Sequence, residues 1–325
     1  MVRRRLWCLL VLWNNLAHCI TITGIANISS VLLPYNSTFT PIIRSKGEKT
    51  IADISAMAFI PGLDTTQVLL LADRAHIYSA RLEIKDARLQ NVDFLDDNII
   101  SLANCGGKCT LDTEGLAIVN HTAFVSTEPP KIIQCPLNKE QTAPASACLP
   151  ILSDGGGNPF LSYLSHAVHN KGFESLCVTV SGTQLVTGTE RWLKRDEDNL
   201  VRLSAFDHKY GTVSSASPSH EFIYKQSSSV IGALELVELV ALDQRGLGAG
   251  GQFLSLERGW TAPVGNIIRL FLVSTLGATD VKACLQLNSS DPQCGGKQTV
   301  MVTKEMVFEW SKKKPLGPQI LVLTD

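Results

Sequence analysis

An all-β fold is what this sequence predicts, and three observations predict it. Short apolar runs recur between Gly, Asn, Asp, Ser and Pro: Ala56–Ile60, Val68–Leu71, Leu116–Val119, Ala123–Ser126, Gln184–Thr187, Leu200–Phe206, Phe253–Leu256 and Ile267–Val273. Apolar runs of that length bounded by turn residues read as strands. Helical periodicity is scarce, and only Asn158–His169 has room for a turn or two. The third observation is a repeat of about sixty residues, the length of one four-stranded propeller blade.

The repeat is visible in four aligned segments: Ile54–Ala58, Thr113–Ala117, Phe173–Cys177 and Leu234–Glu238. Their second positions are Ser55, Glu114, Glu174 and Glu235. Each segment opens an apolar strand, followed by a turn and a second strand ending near an acid, at Asp73, Glu128, Glu190 and Glu257. The arithmetic predicts one β-propeller over residues 23–325, with about five or six four-stranded blades. The last blade reads as incomplete, and strands near Thr21–Leu33 help to close the ring.

The first acid starts one strand of a hairpin and the second acid ends the other, so both lie at one edge of the blade. Rotation about the propeller axis would gather them from all blades. Glu114, Glu174, Glu235 and Glu257 are the candidate catalytic carboxylates, and Asp73, Glu128 and Glu190 the candidate metal ligands. Such a ring suits a hard, oxygen-loving cation, above all Ca²⁺. Arg74, Lys171, Arg191 and Arg258 stand beside these acids in sequence and are candidate phosphate contacts. For each of them a salt bridge to the neighbouring acid is the competing reading, as it is for Arg269.

The N-terminus reads as an address. Arg3, Arg4 and Arg5 precede the apolar run Leu6–Trp13, and the small residues after it suit cleavage, so residues 1–22 read as a secretory signal peptide. The run is too short to span a bilayer. Four sequons fit secretion: Asn27-Ile-Ser, Asn36-Ser-Thr, Asn120-His-Thr and Asn288-Ser-Ser. So does cysteine spacing, which predicts disulfides Cys105–Cys109, Cys135–Cys148 and Cys284–Cys294, with Cys177 left free inside a strand.

Other classes fall away. With 45% hydrophobic and 18% charged residues the chain is not disordered, and a net charge of −1 does not suit a nucleic-acid binder. No Gly-x-Ser-x-Gly nucleophile motif is present. Gly246–Gly251 is glycine-rich, but no helix follows it, so it reads as a long hairpin turn rather than a nucleotide loop.

Asp112–Ala117, Asn170–Leu176, Glu235–Leu239, Leu256–Gly259, Asn266–Leu270 and Gly277–Val281, in that order, resemble the phytase-like domain family, also labelled "esterase-like activity of phytase". The resemblance covers about Ile51 to Trp310. It implies a β-propeller and a phosphoric-ester hydrolase acting on a phosphorylated small molecule or ester. The chain departs from the family pattern at Ala52–Ala56, at Ala72–Ala75 and in its final repeat. Two function classes stay open: a secreted, monomeric, metal-dependent hydrolase, and a non-catalytic extracellular binding module.

Overall fold

The first strand of each repeat lines the axis of a β-propeller. The computed structural model describes residues 27–32, 54–60, 67–72, 75–85, 88–94, 100–101, 112–138, 148–209, 212–230, 232–262, 265–288, 293–294, 297–312 and 319–324. Within these, four antiparallel sheets follow one another. The first blade is Ile54–Phe59, Gln67–Ala72, His76–Lys85 and Arg88–Phe94. The second is Asp112–Val119, Thr122–Glu128, Lys131–Pro136 and Leu149–Pro150. The third is Phe173–Val178, Gln184–Thr189, Leu200–Lys209 and His220–Lys225. The fourth is Glu235–Ala241, Gln252–Thr261, Gly265–Ser274 and Thr303–Lys312. The four first strands touch in succession, blade one to two, two to three, three to four.

The described residues thus hold four blades, plus an antiparallel pair made by Asn27–Leu32 and Gln319–Thr324 beside Arg88–Phe94. The strand expected near Thr21–Leu33 is present, and its partner is the last strand of the chain. The helical window yields one short helix, Leu161–Leu164. Gly246–Gly251 is a connection carrying a single 3₁₀ turn, as its lack of a following helix implied.

The core lies between blades, which explains why the strands read as continuous apolar runs. In Thr122–Glu128, Ala123 and Val125 face blade one, where they pack with Leu69, Leu71 and Ile77; Phe124, between them, faces blade three with Phe173, Leu185 and Phe206. A strand buried on both faces needs apolar residues at every position. Phe160 sits edge-on to Phe173 and Phe206, with ring centroids 5.6 and 5.0 Å away. Between blades three and four, Val186, Leu203 and Phe222 meet Leu236, Phe253 and Phe271.

One charged cluster is buried inside the third blade. Arg202 is 1% exposed and donates to both Asp196 oxygens, at 2.8 and 2.9 Å, to Glu221 at 3.1 Å and to the Cys284 carbonyl at 3.1 Å. Glu221 also accepts from the Tyr163 hydroxyl and from Ser204. The cluster anchors the long connection between the last two strands of blade four. There Val281 N–H donates to Glu221 O, Leu287 N–H to Asp196, and Val302 N–H to Ile223 O. Val281, Cys284 and Leu287 then pack on Leu200 and Ile223.

Cys135 and Cys148 form the expected disulfide, and Cys177 is free and buried. Cys284 is disulfide-bonded. Cys294 lies in a two-residue strand, with its side chain outside the described residues. Cys105, Cys109 and residues 1–22, the segment expected to be a leader, also lie outside them. Among the described residues no helix is long and apolar enough to cross a membrane.

Candidate functional site

Each blade's first strand carries a β-bulge near its start, and the bulges define which residues of different blades are equivalent. The register slips at Ser55 in blade one, at Glu114–Gly115 in blade two, at Glu174 in blade three and at Val237 in blade four. A bulge bends the strand and re-aims a side chain, as such irregularities commonly do beside functional sites. At the second bulge only glycine fits: a Cβ on Gly115 would stand 2.5 Å from Ser126 Oγ and 2.8 Å from Leu176 Cβ.

The fourth bulge corrects the repeat read from sequence. Counting from the bulge, Thr113 pairs with Thr127, Phe173 with Thr189, and Leu236 with Glu257. One step outward, Asp112 pairs with Glu128 and Glu235 with Arg258, while Glu190 bonds to the backbone of Gly172. Glu235 is therefore the counterpart of Asp112, not of Glu114 or Glu174. Arg258, not Glu257, takes the place of Glu128 and Glu190. In the first strand the slip is two residues, which keeps every side chain on its own face, so its hydrophobic pattern cannot register it; in the second strand the offset is one.

Six acids gather at this edge of blades two to four. Ligand oxygens of Asp112, Glu114 and Glu128 lie within 4.8 Å of one another, and so do those of Glu128, Glu174 and Glu190; Glu128 belongs to both groups, either of which could hold a metal ion. Four of the five are buried, while Asp112 is partly exposed. Gly172 lets Glu128 reach across: its N–H donates to Glu128 Oε1, and a Cβ there would meet Glu128 Cγ at 3.2 Å.

Three cations stand with the acids. Lys171 Nζ bridges Glu190 at 2.7 Å and Glu235 at 3.0 Å. Arg191 Nε lies 2.6 Å from Glu235, and its guanidinium sits over the Trp192 ring. Arg258 reaches Glu174 at 3.3 Å and Glu190 at 3.8 Å. The lysine and both arginines expected here are thus at the cluster, ion-paired with its acids. Burial, with the Glu174 and Glu235 charges close by, pushes the Glu190 carboxyl well above its usual range. Burial works in the same direction on Glu235, but the Glu190 hydrogen bond and the Lys171 and Arg191 charges outweigh it and bring Glu235 down to about 2.

Glu257 does not join this group. It faces the other side of its sheet, as a neighbour of Arg258 in a strand must. There it is fully buried against Lys304 Nζ at 2.5 Å, the Tyr224 hydroxyl at 2.7 Å and the Ser227 N–H at 3.1 Å. Lys304 also lies over the Tyr224 and Phe271 rings, 4.6 and 4.1 Å from their centroids. Of Glu114, Glu174, Glu235 and Glu257, expected to share one depression, the first three lie at the cluster and Glu257 does not. Asp73 and Arg74 lie outside the described residues. Arg269 forms the salt bridge that competed with a phosphate role, to Glu309. Asp112 is the member that sequence reasoning missed. It stands two residues before Glu114, on the same face of the strand, and that spacing was the available signal.

A family model described as "Phytase-like: Esterase-like activity of phytase" matches residues 49–319. The chain belongs to the phytase-like family. No curated protein matches this phytase-like chain. Among solved structures it is similar to the Cps50 (Swd1) β-propeller domain of Myceliophteria thermophila, at 12% identity and a TM-score of 0.33, covering 76% of this chain and 57% of that one. The N-terminal domain of Nup159 matches at 14% identity and a TM-score of 0.33, with 87% and 66% covered. The Dos1 propeller matches at 10% identity and a TM-score of 0.29, with 70% and 57% covered. The chain spans less than two thirds of the length of each of these three.

A further acid sits just past the fourth bulge. Burial pushes Glu238 up to about 8, against the pull of the Leu239 N–H, which donates to it at 2.9 Å. The folded state then keeps a proton that the unfolded chain releases near 4.5. Stability should fall as pH rises between those values, because the folded state binds more protons there. Glu238→Gln should flatten that slope, gaining on the order of 2 kcal/mol over the parent at pH 8 relative to pH 5. Urea midpoints at the two pH values check it, and parallel shifts in both proteins would count against it.

Proposed function

We propose that this phytase-like propeller is a secreted, calcium-dependent phosphoric-ester hydrolase acting as a monomer on a phosphorylated small molecule. One observation carries the reading: Glu128 is common to two carboxylate groups, Lys171 and Arg258 stand against the second of them, and Arg191 stands beside it on Glu235. An all-oxygen donor set of three or more carboxylates fits Ca²⁺. Asp112, Glu114 and Glu128 would hold the ion, with Asp112 as the partly exposed side of entry. When bound, Ca²⁺ would neutralise phosphate charge and lower the pKa of water.

The protein's own residues would supply the rest. Arg191, whose side chain is 43% exposed, is the cation best placed to meet phosphate oxygens arriving from solvent. Arg258 and Lys171 lie deeper and would complete the clamp, exchanging carboxylate partners for phosphate. Glu174 would accept a hydrogen bond from the attacking water and orient it. Glu235 positions Lys171 and Arg191 rather than touching substrate. Glu257 plays a packing role, neutralised by Lys304. Neither nucleic acid nor a membrane enters this reading.

The test is phosphate release from inositol, sugar and nitrophenyl phosphates, with calcium and with a chelator. Calcium-dependent release from at least one ester is expected, and Arg191→Ala should raise KM more than it lowers kcat. No release from any ester would leave the non-catalytic binding module as the better account.

A further inference from the structure

We propose that Asn120 carries an N-linked glycan on the face of the propeller opposite the carboxylate cluster. Asn120 and His121 form the tight turn between the first two strands of blade two. Both are exposed, and both have positive φ, 47° and 60°. That is the backbone of a type I′ hairpin turn, in which Asn is favoured. The turn is held from below, where the Leu137 N–H donates to the His121 carbonyl at 2.7 Å. Thr122 supplies the sequon hydroxyl and pairs with Val119 as the last rung of the hairpin.

The neighbouring turn of blade three is Ser181–Thr183, and a Cβ added to Gly182 would reach Val119 Cγ2 at 3.0 Å, so this turn lies directly beside Asn120's strand. Its residues, Ser181, Gly182 and Thr183, are small. The position also has a functional consequence. Asp112 and Glu128 form the rung at the far end of the same two strands. Six residues separate Glu114 from Asn120, about 20 Å at strand rise. A glycan at Asn120 would cover one end of the ring and leave the acidic end open.

The chemistry is ordinary sequon transfer. The Asn120 carboxamide nitrogen bonds to the anomeric carbon of a lipid-pyrophosphate-linked oligosaccharide. The carbon–oxygen bond to pyrophosphate breaks, the lipid pyrophosphate leaves, and the amide proton goes to the transferase. The inference rests on the leader reading and is independent of catalysis.

The full chain, with its own N-terminus, should be expressed in a eukaryotic host and recovered from the medium. Peptide mass spectrometry after enzymatic deglycosylation in heavy-oxygen water should mark Asn120 as converted to Asp. Asn120→Gln and Thr122→Ala should each remove one glycan from the intact protein, with the calcium-induced melting shift unchanged. An unmodified Asn120 beside a modified Asn36 or Asn288 would overturn the proposal. Absence of modification at every sequon would overturn it together with the leader reading. A changed calcium response in Asn120→Gln would overturn the opposite-face placement.

Discussion

Replacing Arg202 by methionine should cost about 3–5 kcal/mol of folding stability, because it leaves Asp196 and Glu221 buried without their cation. Both acids lie in the interior of blade three, and Arg202 serves them with three N–H donors. The loss should lower the melting temperature by roughly 4–7 °C in a chain of this size. Lysine should not rescue it, since a single ammonium cannot reproduce the two-pronged contact with Asp196. The triple variant Arg202→Met, Asp196→Asn, Glu221→Gln should recover most of the loss, since the penalty lies in the uncompensated charge and the Asn amide oxygen can still accept from the Leu287 N–H. Guanidinium unfolding of the single and triple variants decides it. An Arg202→Met chain within about 1 kcal/mol of the parent would show that the two acids shed their charge at little cost.

Glu128→Gln should abolish stabilisation by calcium. With calcium at about a hundred times its dissociation constant, the parent should gain about 2.7 kcal/mol by mass action, or roughly 4 °C. The variant should gain almost none, because Glu128 is the acid shared by both carboxylate groups. Glu257→Gln is the control on the other face of the fourth sheet. It should be less stable than the parent, having left Lys304 without its carboxylate, yet keep its full calcium response. Thermal scans with calcium and with a chelator read both. A full calcium shift in Glu128→Gln would move the ion to another site. An equal loss in both variants would make the effect one of global stability.

Part of this was legible in the residues alone. Short apolar runs with turn residues between them read as strands, and a period near sixty residues read as four-stranded blades. That much follows because backbone periodicity and turn chemistry are local. The acids at the ends of strands were legible too, as was the free Cys177, because a blade edge and a mid-strand position can each be counted. Glu114, Glu128, Glu174 and Glu190 came together for that reason.

What only the tertiary structure decided is register and pairing across blades. Glu235 aligned with Glu174 in the sequence, yet the fourth bulge falls two residues later, at Val237. A strand presents the same face at every second residue, so both alignments satisfied the same apolar pattern. In the second strand the offset is one residue, which changes faces: Arg258 enters the cluster and Glu257 turns to Lys304, a lysine forty-seven positions along the chain. No local signal links two such residues; they meet across Gly265–Ser274, the strand that lies between theirs in the fourth sheet. The buried partnership of Arg202 with Asp196 and Glu221 was hidden for the same reason. A charge reads as surface in sequence, and only the fold supplies the opposite charges that let it be buried.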